Sequence, residues 1–154
     1  MPDATLAASE EVVIEAAGAQ DASAIRALLA ASHLPLEDLT PDHWPHFVVA
    51  RRASRLIGVA GLEIVGRFAL LRSVAVAPEH RRRGMASQLV AELEAFAHAH
   101  GVEAAYLLTT TAEDFFARRG YQRTNRAAAP EAMQATTEFK TICPASAVCM
   151  MKAL

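Results

Sequence analysis

Cysteine is scarce in this chain, tryptophan occurs once, and no long apolar run is present. Two cysteines in 154 residues, Cys143 and Cys149, are too few for a disulfide scaffold. Residues 1–11 lack the basic start and continuous apolar core of a signal peptide, so the expected location is the cytoplasm, with reduced thiols. No apolar stretch approaches the roughly 20 residues that a membrane-spanning helix needs, and no membrane partner is expected. An excess of one charge is missing too. Fifteen Lys and Arg stand against 17 Asp and Glu, for a formal net charge of −2, whereas nucleic-acid binding calls for a basic excess spread over a face. The six histidines offer no zinc spacing. His43 and His46 are three apart, but Pro45 interrupts the helix that would align them, and His98 and His100 point to different sides of a helix; no metal is expected. Apolar side chains, by contrast, make up 53% of the chain, enough for one compact domain with its own core.

Residues 1–11 are small, polar and acidic and are expected to form a flexible tail, with a single domain over 12–154. Val12-Val13-Ile14-Glu15 predicts a first strand. Asp21 is placed to N-cap a helix over 22–32, where Ala24, Ile25, Leu28 and Leu29 recur at helical spacing. Pro35 stops that helix, and 33–39 should be a loop leading to a short helical turn. Residues 47–51 and 55–63 predict two strands around a tight turn, and 68–76 a third after Gly66-Arg67. Leu89, Val90, Leu93, Phe96 and Ala97 keep one face of a helix over 86–100, stopped by Gly101. A buried strand over 104–109, a short helix over 112–119 ended by Gly120, a strand from Tyr121 onwards and a last strand over 147–151 complete the pattern; 136–141 predicts no clear element. The order is that of an α/β fold with a mixed sheet, with no repeat or second domain.

Chemistry concentrates where the third strand runs out. Arg81-Arg82-Arg83-Gly84-Met85-Ala86-Ser87 joins an apolar strand to a helix, so successive backbone N–H groups and the positive end of a helix dipole converge on one turn. Gly84 removes a side chain where a ligand must approach the backbone, Ala86 and Ser87 keep the next positions small, and three arginines add charge. The turn is suited to a pyrophosphate. The pattern Arg81-x-x-Gly84-x-Ala86 after such a strand resembles the (Q/R)-x-x-G-x-(G/A) signature of the GNAT superfamily of acyl-CoA N-acyltransferases, where this turn holds the coenzyme A pyrophosphate. Leu107 to Phe116, Gly120-Tyr121, Thr137-Glu138-Phe139 and Cys143 to Val148 resemble the arsenic-resistance-associated (ArsN-type) GNAT proteins of bacterial arsenic operons, as do Leu34 to Leu39 and Leu70-Leu71-Arg72-Ser73.

The resemblance implies the GNAT fold, a mixed central sheet flanked by helices, and an N-acetyltransferase that uses acetyl-CoA as co-substrate and a small-molecule amine as acceptor. A homodimer is implied by the same resemblance. In that fold the strands 72–76 and 106–109 splay apart, so that Val74, Ala75 and Val76 offer backbone groups to the pantetheine arm, with an N–H near Val74 donating to the thioester oxygen. Thr109 stands where many members carry Asn, and Phe115-Phe116 replaces Phe-Tyr, so the tyrosine often proposed to protonate the thiolate is absent. Phe116 packs on the cofactor arm but donates no proton; Thr109, Thr110 or a water is left to supply the hydrogen bond, Tyr121 being a poorer stand-in. A trivalent arsenic site would want three thiolates, and only two cysteines exist.

For the base, Glu63 is the best single carboxylate, at the end of an apolar strand beside the acetyl-transfer strand. Arg72 lies in an otherwise apolar strand, on the face that simple alternation shares with Val74 and Val76, where an unpaired charge is costly. Its partner is Glu63, Glu37 or Glu138 in a structural pair, or the carboxylate of an amino-acid-like substrate. His33, Glu37, Asp38 and His43 lie on the segment that covers the acceptor site in the family fold, and Glu37 and His43 join Arg72 as candidate acceptor contacts. The alternative to an enzyme is an acyl-CoA-binding sensor that keeps the cleft without turnover.

Overall fold

A computed structural model describes residues 11–154, so the tail expected over 1–11 lies, apart from Glu11, outside the described residues. Seven strands form a mixed sheet: β1 (Val12–Ala16), β2 (Phe47–Arg52), β3 (Arg55–Val65), β4 (Phe68–Val76), β5 (Ala104–Thr109), β6 (Gln122–Arg123) and β7 (Val148–Ala153). Their order is β1-β2-β3-β4-β5-β7-β6. The helices are α1 (Ala22–Ala31), α2 (Met85–Ala99), α3 (Glu113–Ala117) and α4 (Glu131–Gln134). Among the described residues no helix is long and apolar enough to cross a membrane. The α/β class with a mixed sheet is the one the element order predicts, and the chain divides into two compact units.

The first unit takes residues up to Gly61 and Ser73–Glu92. β1 pairs antiparallel with β2, and β2 with β3. Ile25 and Leu29 of α1 are fully buried in a cluster with Trp44, Phe47, Val49 and Val59. Removing that apolar area from water is the main stabilising term, about 25 cal/mol per Å². Gly61 lies opposite Phe47 across the ladder, and a Cβ there would come within 2.2 Å of the ring, so the pair packs only because Gly61 has no side chain.

Asp21 occupies the expected N-cap position, but its side chain makes no cap bond. Its carboxylate instead accepts the Gly18 N–H at 2.8 Å and a two-pronged pair from Arg51, at 2.8 and 2.7 Å. Arg51 also reaches Glu15. A capping argument considers only neighbouring N–H groups; a guanidinium 30 residues away is the stronger partner for a nearly buried carboxylate.

The second unit takes Leu62–Arg72 and Leu93–Leu154. β4 and β5 run parallel, β7 lies antiparallel to β5, and the two-residue β6 adds to β7. Leu70, Tyr106, Met133, Phe139 and Cys149 form its buried cluster. The strand expected from Tyr121 onwards spans only Gln122–Arg123: the Thr124 N–H still bonds to the Cys149 carbonyl in register, and the chain then turns where the Asn125 side chain accepts the Ala127 N–H. Where no clear element was expected, Glu138–Ile142 forms one wide π-type turn. Arg126 fastens it, donating to the carbonyls of Phe139 at 2.6 Å and Pro144 at 2.8 Å.

Both cysteines are free. Burial, reinforced by Glu138, pushes the Cys143 thiol up to about 12; burial pushes Cys149 up to about 11. Thiolates are the reactive form, so alkylation of the folded protein at pH 8 should run at least about 100-fold slower at both sites than for a free cysteine, and recover in urea; mass spectrometry after timed iodoacetamide exposure checks this. Arg51 holds the Asp21 carboxyl below the ordinary carboxylate range. A depressed folded pKa gives stability that is present above the unfolded value of about 4 and lost as pH falls through the folded value. Asp21→Asn should therefore cost roughly 2–3 kcal/mol in urea unfolding at pH 7, with the gap to the native chain closing below about pH 4.

Candidate functional site

In the first unit, β4 ends at Val76 and the Ala77 N–H bonds back to the Ile57 carbonyl at 2.8 Å. Pro78–His80 makes one 3-10 turn, and α2 begins at Met85. Between them the backbone enters the left-handed region twice, at Arg82 (φ 65°) and Gly84 (φ 78°). Backbone reversals of this kind turn successive N–H groups into a shared concavity, and the helix start adds its own unpaired donors. A Cβ at Gly84 would meet no protein atom, so packing does not require the glycine; its φ does, as does any ligand that must reach the backbone.

Arg81, Arg82 and Arg83 are exposed around this turn. Arg81 donates its Nε–H to the Val76 carbonyl at 3.0 Å, which locks the turn onto the end of β4. Met85, Leu89 and Val90 anchor the start of α2 in the core, whereas Ala86 and Ser87 are only half-buried. The arrangement can hold a di-anion against backbone N–H groups with arginine at its rim.

β4 carries a break that alternation does not predict. Ser73 has φ 59° in the middle of the strand. A residue in this conformation interrupts the two-residue alternation on which the expectation that Arg72, Val74 and Val76 share one face rests; Arg72 and Ser73 are buried and Val74 is half-buried. Ala75 and Val76 are buried. The β4–β5 register consists of Phe68↔Ala104, Ala69↔Ala105 and Leu70↔Tyr106.

In the second unit, Arg72 has a fully buried side chain that Glu63 meets at 2.7 Å and Glu138 at 3.2 Å. Of the partners open to Arg72 by sequence, these are the two internal carboxylates that hold it. Glu138 is itself buried, whereas Glu63 keeps 21% of its side chain exposed. One guanidinium between two carboxylates leaves a net negative charge, and Glu63 is the member that reaches solvent.

The segment after β5 places the remaining residues. Thr109 accepts the Ala112 N–H at 2.9 Å with its hydroxyl oxygen and keeps its own proton to donate; Thr110 is exposed. Phe116 is buried edge-to-face against Phe115 and Tyr121. Tyr121 donates to Glu94 at 2.9 Å, and Lys152 pairs with the same carboxylate. Burial, then the Glu94 charge, raises the Tyr121 phenol far above its ordinary value, which makes it a weak acid tied to a structural partner.

The segment before β2 holds the other candidates in the first unit. Glu37 is exposed and turns back on the Leu36 N–H. His43, half-buried on the 3-10 turn Pro41–His46, accepts the Thr40 N–H at Nδ1, which puts its proton on Nε2 when neutral. What the sequence reading missed is conformational: nothing in Leu-Arg-Ser-Val announces a left-handed serine, and no periodicity pairs Arg81 with a carbonyl.

Comparison with solved structures places this fold among known ones. N-acetylglutamate synthase from Neisseria gonorrhoeae, crystallised with coenzyme A and N-acetyl-glutamate, matches with TM-score 0.82 and 22% identity over 94% of this chain, which spans 35% of that protein. The Rv2747 protein from Mycobacterium tuberculosis, in complex with CoA, matches with TM-score 0.80 and 21% identity over 92% of this chain and 99% of its own. The PaiA N-acetyltransferase of Thermoplasma acidophilum, with coenzyme A, matches with TM-score 0.67 and 15% identity over 94% of this chain and 99% of its own. At such identities the likeness establishes the fold. The sequence itself matches the acetyltransferase (GNAT) family model over residues 19–125, well over half of its length, including β4, the arginine turn and α2. The chain belongs to the GNAT acetyltransferase family.

Proposed function

We propose that this chain transfers an acetyl group from acetyl-CoA to the amine of a small molecule, directly within a ternary complex. The observation that carries the reading is the turn between β4 and α2, with left-handed backbone at Arg82 and Gly84 and three exposed arginines. In this reading Arg81, Arg82, Arg83 and the backbone of Gly84, Met85, Ala86 and Ser87 hold the pyrophosphate. Val74, Ala75 and Val76 present backbone groups to the pantetheine arm, and Thr109 and Phe116 flank it. CoA-bound relatives of the same fold support this placement.

Acetyl-CoA supplies an activated thioester. The amine must lose a proton before its lone pair attacks the carbonyl carbon; the C–N bond forms, the C–S bond breaks, and the sulfur takes a proton. Glu63 is the base in this reading, reaching solvent with Arg72 fixing one of its oxygens. Glu138 shares the Arg72 charge, so that Arg72 positions Glu63 without being committed to it alone. The N–H near Val74 donates to the thioester oxygen, and Thr110 or Thr109 donates to the departing sulfur. A thiol pKa of about 8.5 means that the sulfur needs little help, so Phe116 in the family's tyrosine position is compatible with turnover. Glu37 and His43 are the acceptor contacts. An amino-acid-like toxic compound, as the arsenic-resistance resemblance implies, is the acceptor class, and acetylation disarms it by removing its positive charge. The same reading places the protein in the cytoplasm, as a homodimer. The opposing reading, a sensor without turnover, draws on the committed Tyr121 phenol and the missing tyrosine.

Release of free CoA, followed with a thiol reagent, tests the proposal across amino acids, glutamate analogues containing arsenic or phosphorus, polyamines and aminoglycosides. Turnover is expected with the amino-acid-like class; acetyl-CoA binding without turnover on any amine would establish the sensor. Glu63→Gln should lower kcat by about 100-fold while leaving the acetyl-CoA Kd alone; a loss within twofold removes Glu63 as base. Arg83→Glu with Gly84→Glu sets carboxylates against a pyrophosphate and should abolish CoA binding in calorimetry. Unchanged affinity in the folded double variant would refute the turn assignment.

A further inference from the structure

One side chain of α1 reaches into the segment that follows the helix. Arg26, half-buried, donates an Nη2–H to the Leu39 carbonyl at 2.8 Å and reaches the Leu36 carbonyl with Nη1 at 3.4 Å. Leu39 is buried, and Leu34 and Leu36 pack partly against the cluster that holds Ile25 and Leu29. Residues 36–40 belong to no helix or strand, so no ladder takes up their carbonyls, and Arg26 bonds to two of them.

The peptide that Arg26 holds by its oxygen makes a second bond at its other end. Its N–H, on Thr40, donates to His43 Nδ1 at 3.0 Å. The Thr40 hydroxyl, 3.3 Å from the same nitrogen, is a further donor to it. The Thr40 carbonyl is also 3.3 Å from Nδ1, but it already accepts the His43 backbone N–H at 3.0 Å. A backbone N–H can only donate, so Nδ1 must accept, and the neutral ring keeps its proton on Nε2. A cation on a peptide oxygen draws electron density towards it and makes the N–H of the same peptide a stronger donor. Arg26, the Leu39–Thr40 peptide and His43 are thus one chain of hydrogen bonds, and the ring also lies edge-to-face against the buried Phe47. Among the described residues His43 Nε2 has no hydrogen-bond partner.

We propose that Arg26 is a positioning residue for recognition of the acetyl acceptor: through the Leu39–Thr40 peptide it fixes His43 as an Nε2–H donor. His43 then meets an oxygen of the incoming amine-bearing molecule and rejects a donor such as a second ammonium group. An imidazole free to change tautomer would take either, so the selectivity resides in the peptide that holds Nδ1. The chain of bonds rests on the contacts of Arg26 and Thr40 alone, whereas its bearing on turnover rests on the proposed role of His43 as an acceptor contact.

NMR of ¹⁵N-histidine-labelled protein, at about pH 8 where an ordinary histidine is neutral, tests the chain of bonds without any acceptor, since the two tautomers give different ring-nitrogen signals. The native chain should show His43 with a protonated Nε2 and a bare Nδ1. Arg26→Ala should shift both signals towards an average over the two tautomers while His80, His98 and His100 do not follow. Arg26→Lys, which keeps a charged donor, should restore most of the native pattern. In the CoA-release assay, with the panel amine of highest kcat/KM, Arg26→Ala should raise the KM for that amine about tenfold and leave the acetyl-CoA Kd within about twofold. A structural role alone would lower the urea midpoint and leave the tautomer as it is. Should Arg26→Ala not fold, Arg26→Gln, with a neutral donor for one carbonyl, carries the same expectation in smaller measure. A native His43 pattern in the folded variants, or Arg26→Lys no better than Arg26→Ala, would overturn the proposal. A shifted pattern together with a His43→Ala variant of unchanged amine KM, or with no turnover on any amine, would defeat the acceptor-contact role of His43 and the recognition built on it, and not the bonding.

Discussion

A guanidinium sealed inside a sheet needs full compensation, and Arg72 of β4 meets that demand with two carboxylates from different parts of the chain. Glu63 comes from the neighbouring strand and Glu138 from the π-type turn 75 residues after it in sequence. Breaking a buried pair of this kind costs several kcal/mol because the remaining charge stays buried. The ion pair to Arg72 thus joins the π-type turn's own backbone bonds and the burial of Phe139 in holding the segment before β7. Arg126 works alongside by gripping carbonyls on both sides of Cys143.

The arginine turn obeys a different constraint. Its conformation comes from left-handed residues at Arg82 and Gly84 and from Arg81 clipped to Val76, and its side chains are left at the surface. Arginine thus has two roles within a dozen residues: Arg72 is consumed by the fold, and Arg82 and Arg83 face solvent at a helix start. Burial decides the difference. A cation without solvent must be paired, whereas a cation in solvent can still meet an incoming anion.

Much of this was legible from residue order. The three strands around 47–76, the helix carrying Leu89, Val90 and Leu93, and the arginine turn all follow from local periodicity and from glycine and proline placement. The arrangement of α1 was legible too, but the use made of Asp21 was not, since its partner Arg51 lies on β2. The length of the strand after Tyr121 was not legible: it is two residues because the chain turns at Asn125, whose side chain accepts the Ala127 N–H. Glu63 and Glu138 could be named as partners for Arg72, but sequence had no means of choosing both over Glu37 or a substrate.

By itself the sequence determined the α/β pattern, the apolar faces and the anion-suited turn, because each depends on interactions among residues a few positions apart. Only the tertiary structure decided that Ser73 leaves the extended region within β4, that Arg72 is shared by Glu63 and Glu138, and that Tyr121 is committed to Glu94. These outcomes depend on which distant groups packing brings within about 3 Å, and on which of them it cuts off from water.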